Sequence, residues 1–317
     1  MRWPPSDIPI AAAIAAALLL IGCGTSAPPR PPSSIVLVTI DTLRADHVNA
    51  QVTPTLAALA REAVVFDQAI TVAPLTLPAH ASLLTAQYPP RHTVRDNQIF
   101  TLPDTVATYP SRLKERGYAT AAFVSAVVLD RRYGLNRGFD VYDDEVAGPE
   151  RAAADTLARA QQWIDSSRRP FFVWVHLFEP HAPYRTGSYA AEVTAVDTAL
   201  AGFFSHLRSA GLWNDIVLSV TADHGEALGE HGEKTHGFFL YEAALRIPWI
   251  LKAPGLASER VRQLVRIVDI LPTVVELANP AAGRADAIDG VSFASASARR
   301  DALNLEAYSE TFLPPDQ

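Results

Sequence analysis

The sequence predicts an α/β fold built on a mostly parallel central sheet with helices on both faces. Three observations carry that prediction. Nearly continuous apolar, β-branched runs of strand length recur along the chain, as they do in strands buried on both faces. Stretches with a helical period separate them, which is the order expected of crossover connections between parallel strands. Acidic or imidazole side chains stand at or just beyond the carboxyl ends of three of the runs, where ligands sit in such sheets.

Ahead of the first strand lies an apolar stretch from Ile8 to Ile21, preceded by Arg2 and closed by Leu20-Ile21-Gly22-Cys23. It is shorter than the ~20 residues a spanning helix needs and reads as an export signal over residues 1–22. The closing residues resemble a bacterial lipobox, so Cys23 is the expected lipidation site. That implies a cell-envelope protein held to a membrane by a lipid anchor, on the periplasmic or outer-surface side. Cys23 is also the single cysteine, which excludes a disulfide framework. Residues 23–34, rich in Pro and Ser, read as an extended tether. The folded domain is expected over 35–317.

With 49% apolar and 19% charged residues over 317 positions, the chain can bury one large core and shows no disordered or collagen-like bias. Its net charge of −7 has no basic run to offset it, which excludes nucleic acid as a general partner.

The first strand is Ile35 to Ile40, and similar runs follow at Ala121 to Ser125, Phe171 to Leu177, Ile216 to Ala222 and Ile247 to Leu251. The clearest helix carries Val193, Val196, Leu200, Phe203, Phe204 and Leu207, spaced by three and four, with Glu192, Asp197 and His206 between them. Further helices are expected at Pro54 to Glu62, Arg151 to Ile164 and Val261 to Leu277.

Asp41 ends the first run, His176 to His181 the third, and Asp223-His224 the fourth. Two carboxylates and an imidazole suit one divalent ion, Mn²⁺, Zn²⁺, Mg²⁺ or Ca²⁺. In Thr76-Leu77-Pro78-Ala79-His80, Pro78 suits the first turn of a helix and Thr76 falls just before it, so its hydroxyl meets the positive end of the helix and can be activated as a nucleophile. His181 and His236 follow a strand or lie in a Gly-rich loop and are expected to line the site. His176 and His231 are read as core or surface residues more often than as site residues, and His47, His92 and His206 as structural.

At this point the residues resemble a known family. VTIDTLRADH, PLTLPAHASLLTAQYPPRHTVRDN, GYATAAFVSAVVLDRRYGLNRGFDVYDD, PFFVWVHLFEPHAPY, TADHGEALGEHGEKTHGFFLYEAALRIP and VDILPTVVELA are similar, in order, to the successive motifs of the sulfatase group of alkaline-phosphatase-like hydrolases. The similarity runs from about Ser34 to Phe293. It implies an alkaline-phosphatase-like core and a metal bound by Asp41, Asp223 and His224, with Thr42 at a position where some members add a ligand. It also implies hydrolysis or transfer of phosphate or sulfate esters.

Departures from the family pattern shape the expected chemistry. The nucleophile motif of the family reads Cys or Ser, any residue, Pro, any residue, Arg; this chain places Thr76 and His80 at its two ends. Sulfatases proper oxidise that Cys or Ser to formylglycine, and threonine resembles no known substrate of the conversion. The resemblance therefore implies a Thr76 nucleophile with a covalent intermediate, phosphate esters favoured over sulfate esters. His80 and Asn97 would bind the non-bridging oxygens, His181 or His236 would protonate the leaving alcohol, and Arg95 would add charge for the substrate. Two-metal relatives place an Asp three or four residues before one His, whereas Glu179 and His181 are two apart, so a single metal is expected. Partners implied are a phospholipid headgroup or a phosphorylated or sulfated glycan. An inactive, anion-binding envelope lipoprotein is the reading from another class. The small C-terminal sheet that normally follows in the family is expected to be missing, because the sequence stops at Gln317.

Overall fold

The computed structural model describes residues 1, 31–148, 150–283, 285–295, 299 and 303–313. The signal segment, Cys23 and the tether up to residue 30 lie outside the described residues.

Runs of Val, Ile, Phe and Trp with no polar alternation can be stable only when both faces are covered, and that is where they lie. The strands are β1 (Ile35–Ile40), β2 (Val64–Ile70), β3 (Ala119–Phe123), β4 (Val141–Asp143), β5 (Phe171–Leu177), β6 (Val217–Ala222), β7 (Arg246–Lys252) and β8 (Glu259–Arg266). They form one eight-stranded sheet among the described residues, in the order β4-β3-β5-β1-β6-β7-β2-β8. Every residue of β1, β5 and β6 is buried. All strand pairs are parallel except those made by β7, which runs antiparallel to both β6 and β2. A mostly parallel sheet surrounded by helices is what the sequence predicts.

The helices used below are α1 (Pro54–Arg61), α2 (Thr76–Thr85), α3 (Tyr109–Glu115), α4 (Ala153–Ser166), α5 (Tyr189–Ser209) and α6 (Ile270–Ala278). In α5 the residues Val193, Val196, Leu200, Phe203, Phe204 and Leu207 are all buried, as their spacing requires. Asp197, on the same helix, is not a solvent-facing residue. It is 2% exposed and its carboxylate accepts the Thr55 and Leu56 backbone N–H groups at 2.8 and 2.9 Å, satisfying free donors at the start of α1.

Three boundaries differ from expectation. The stretch Val261 to Leu277 is not one helix: β8 runs to Arg266, and α6 begins at Ile270. A bulge shifts the register of β8 against β2 between Phe66 and Gln68, so the buried residues Val261 and Val265 fall four apart and imitate a helical period. Thr76 is the first residue of α2 rather than the one before it, with Leu75 in the cap position. Ser33 and Ser34, grouped with the tether by composition, belong to the fold: Ser33 N–H donates to Ala278 O at 2.8 Å and Ser34 O accepts from Val217 N–H at 2.9 Å. Among the described residues no helix is long and apolar enough to cross a membrane.

Candidate active site

Because β5, β1 and β6 are neighbours and parallel, the residues at their carboxyl ends converge at the centre of the sheet edge. Asp41 follows β1 and is tied to β5 by its N–H, which donates to Leu177 O at 2.9 Å. Asp223 and His224 follow β6. Asp41, Thr42, Asp223, His224 and His176 are each 0% exposed.

Within this cluster the donor atoms are arranged as for a cation. Asp223 Oδ1 accepts the backbone N–H of His224 at 2.8 Å and of Thr42 at 3.2 Å, while its Oδ2 has no partner. Asp41 Oδ1 and Thr42 Oγ1 are likewise buried without a partner. The His224 ring places Nδ1 2.9 Å from Gly225 O, which fixes the proton there and leaves the Nε2 lone pair facing the carboxylates. Nε2 lies 3.7 Å from Asp41 Oδ1 and 3.5 Å from Asp223 Oδ2. One ligand atom from each of Asp41, Asp223 and His224 lies within 4.8 Å of the others. Orphaned oxygens in a dry cluster are costly unless a cation meets them, so the residues fit a divalent metal.

The charges agree. Burial would raise the Asp41 carboxyl, but a hydrogen bond from His176 and the nearby His181 and His224 hold it well below the usual carboxylate range. Burial, and then the Asp41 charge, push Asp223 up to about 6. Two carboxylates this close resist ionising together, and a divalent ion removes that conflict.

Local backbone serves the same cluster. Thr42 has φ of 57°, unusual for a β-branched residue and costing on the order of 1–3 kcal/mol. Tyr189, at the start of α5, holds this turn: its hydroxyl donates to Thr42 O at 2.7 Å and accepts from Arg44 N–H at 2.8 Å. Gly225 is required by close approach, since a Cβ there would stand 2.0 Å from Ala243 O.

The structure brings Thr76 to this cluster. Its Oγ1 lies 3.3 Å from Asp41 Oδ2 and 3.4 Å from His224 Nε2. Asn97 Oδ1 accepts the Leu77 N–H at 2.8 Å, which pins the first turn of α2 beside it. His236 packs its ring 4.4 Å from that of His224 and 5.1 Å from that of His181. Its Nδ1 is 3.0 Å from Glu226 Oε1. Burial pushes the Glu226 carboxyl up to about 7 and the His236 imidazole well down.

Two assigned roles do not survive the geometry. His80, expected to bind substrate oxygens, is 0% exposed, and both ring nitrogens are engaged, Nδ1 with Thr76 O at 2.8 Å and Nε2 with Thr39 Oγ1 at 3.0 Å. It braces the nucleophile's helix from below. Arg95, expected to supply charge to the substrate, makes a bidentate ion pair with Glu310, Nε to Oε1 at 2.7 Å and Nη2 to Oε2 at 2.6 Å. Its guanidinium also lies 4.2 Å above the Phe312 ring.

Sequence reasoning underweighted His176, whose unpartnered Nε2 lies 3.5 Å from Asp41 Oδ2, and missed Glu226 and Tyr189. Glu226 had a signal: an acidic residue two positions past His224 in a Gly-rich loop. Tyr189 had none, because its partner is a backbone carbonyl. His231 stacks on Tyr241 at 3.8 Å, outside the cluster.

An α/β domain whose parallel strands end in a dry donor set beside a helix-borne hydroxyl is the class defined by this fold and site. The sulfatase family model matches residues 33–280, and the chain belongs to that family. The ulvan-active sulfatase of Formosa agariphila is 24% identical over 293 residues, covering 72% of this chain and 57% of that relative, so the chain spans a little over half of its length. A solved 2-O GAG sulfatase shares the fold with a TM-score of 0.72 at 19% identity, covering 88% of this chain and 78% of that one. The phosphonate monoester hydrolase of Silicibacter pomeroyi does so with a TM-score of 0.66 at 22% identity, covering 83% and 76%.

Proposed function

We propose that the chain is a metal-dependent hydrolase or transferase of phosphate or sulfate esters, with Thr76 as nucleophile and phosphate esters favoured. The observation that carries this reading is the Thr76 hydroxyl 3.3 Å from Asp41 Oδ2 and 3.4 Å from His224 Nε2, at the first turn of α2. A divalent ion held by Asp41, Asp223 and His224, with Thr42 beside them, supplies charge that favours an alkoxide and neutralises an anionic ester.

Thr76 Oγ forms a bond to phosphorus as the bond to the leaving alcohol breaks, and the start of α2 adds a favourable dipole. Asp41 Oδ2 accepts the hydroxyl's hydrogen bond, the direction in which that proton leaves. Asn97, whose Oδ1 is occupied by Leu77 N–H, offers its NH₂ to a non-bridging oxygen. His236, oriented by Glu226 and flanked by His181, gives a proton to the leaving alcohol, and the same group then helps water release phosphate from Thr76. A sulfated threonine would need water to strike a hindered sulfur, whereas phosphorus admits in-line displacement, which is why phosphate is favoured.

The second reading, sulfate esters such as those of sulfated glycans, is supported by the family and by the name of the ulvan-active relative. Paired turnover of an aryl phosphate diester and an aryl sulfate separates the two. Mass spectrometry after trapping with a slow diester should find the modification on Thr76. Faster sulfate turnover that persists in Thr76→Ala would reverse both the substrate preference and the nucleophile. Anchoring through Cys23 in the cell envelope is part of the proposal, and palmitate labelling lost in Cys23→Ala is its check.

A further inference from the structure

Beside the nucleophile lies a cavity of about 390 Å³ whose walls include His236 and Asn97. That volume is within the range of small-ligand sites, roughly 300–1,000 Å³. Its remaining walls are unlike those of a glycan-polyanion site. Leu75, Ile99, Phe312 and Leu313 make them apolar, and among the described lining residues there is no Lys or Arg. Asp96 is the one carboxylate, and its Oδ1 accepts the Gln98 and Ile99 N–H groups at 2.8 and 2.9 Å, which shapes the loop that presents Ile99. The nearest cation, Arg95, is neutralised by Glu310.

Two distant segments are locked together to make this cavity. Glu310 N–H donates to Val72 O at 2.9 Å, Ser309 Oγ to Thr71 O at 2.7 Å, and Thr311 Oγ1 to Gly237 O. Gly237 is needed there: its φ is 108°, and a Cβ would meet Leu313 Cδ2 at 2.8 Å. Ile99 and Phe312 are 79% and 51% exposed, a large apolar surface to leave in water at the mouth of a site.

We infer that this cavity is the leaving-group subsite and that it selects an uncharged alcohol with an apolar or aryl body over a polyanionic sugar. The inference rests on the assignment of Thr76 and His236 above and adds the substrate class. An ester placed with its reacting centre at Thr76 directs its alcohol past His236 into the apolar walls. Each additional anionic group on that alcohol would meet Asp96 and no unpaired cation.

Binding of the alcohol product tests this without requiring turnover. The full chain carrying Thr76→Ala is titrated with naphthol and with naphthol disulfonate, and binding is followed by ligand fluorescence. Naphthol is expected to saturate one site with a Kd at least roughly ten-fold below that of the disulfonate, and Ile99→Ala and Phe312→Ala to weaken it by roughly five- to ten-fold. Gln98→Lys, which leaves the Asp96 loop contacts in place, should narrow the preference. Equal or tighter binding of the disulfonate, or an unchanged naphthol Kd in both alanine variants, overturns the inference. Naphthol binding as expected, in a protein whose wild-type form hydrolyses neither ester, would sink the proposed reaction and leave the subsite standing.

Discussion

Two buried charge clusters lie in this domain and differ in one respect. At the start of α6, the Asp269 carboxylate accepts Arg266 N–H, Nε and Nη2 at 2.8, 2.9 and 2.6 Å and Val291 N–H at 2.8 Å, so both oxygens are fully used. At the ends of β1 and β6, Asp41 Oδ1 and Asp223 Oδ2 have no partner although both residues are 0% exposed. The first cluster is complete within the protein and closes the structure around the end of β8. The second is complete only with something that the chain does not supply, which is how a site is told from a strut by its hydrogen bonds alone.

Substitution should have opposite consequences in the two. The largest effect is expected on catalysis: Thr76→Ala should lower kcat/KM on an aryl phosphate diester by on the order of a thousand-fold or more with the fold intact by circular dichroism. Next comes Asp269→Asn, which leaves Arg266 buried with a broken partner and should cost about 3–5 kcal/mol in urea unfolding without altering metal affinity. Asp223→Asn should do the reverse. In chelator-treated protein at pH 7 it removes a carboxylate that burial and Asp41 penalise, and should stabilise the fold by on the order of 1–3 kcal/mol while abolishing activity. A destabilised Asp223→Asn apoprotein would erase the distinction drawn between the clusters.

Metal addition sharpens the same contrast. At a hundred-fold excess over Kd, one bound divalent ion should raise wild-type stability by about 2.7 kcal/mol, and Asp269→Asn by the same increment, but Asp41→Asn by far less. Equal increments in wild type and Asp41→Asn, followed by thermal denaturation, would place the ion elsewhere.

The two clusters were also unequally legible in the sequence. Asp41, Asp223 and His224 stand directly after uninterrupted apolar runs, so strand topology alone brings them together. The pairing of Arg266 with Asp269 was hidden because a bulge between β2 and β8 made Val261 to Leu277 look like one helix. β2 itself was missed, its alternation interrupted at Asp67-Gln68, and β4 is too short to leave a pattern. Motif position correctly drew Thr76 to the metal ligands but assigned His80 to the substrate by analogy with an arginine. A helix seen as a pattern does not show that Thr39 and the Thr76 carbonyl occupy both sides of that ring. Arg95 likewise met its partner, Glu310, across 215 residues, a pairing that no local pattern encodes.

The smallest expected effect comes from His92, a third buried polar group that belongs with the satisfied class. Its Nδ1 accepts Val94 N–H at 3.1 Å and its Nε2 faces Ser82 Oγ at 2.7 Å, so the folded protein holds a neutral ring. Burial lowers its pKa from the ordinary 6.5 to about 3. Between those values the unfolded chain binds a proton that the folded chain does not, so this group's contribution is fully present above about 6.5 and is lost as pH falls toward 3. At pH 5 the loss has an upper limit of about 2 kcal/mol. In His92→Gln, which cannot titrate, that slope is absent. The stability gap between wild type and variant in urea should therefore shrink between pH 7 and pH 5, other groups cancelling in the difference. An equal gap at both values would mean that the ring accepts a proton in place, and that Ser82 and Val94 do not hold it as tightly as Asp269 is held.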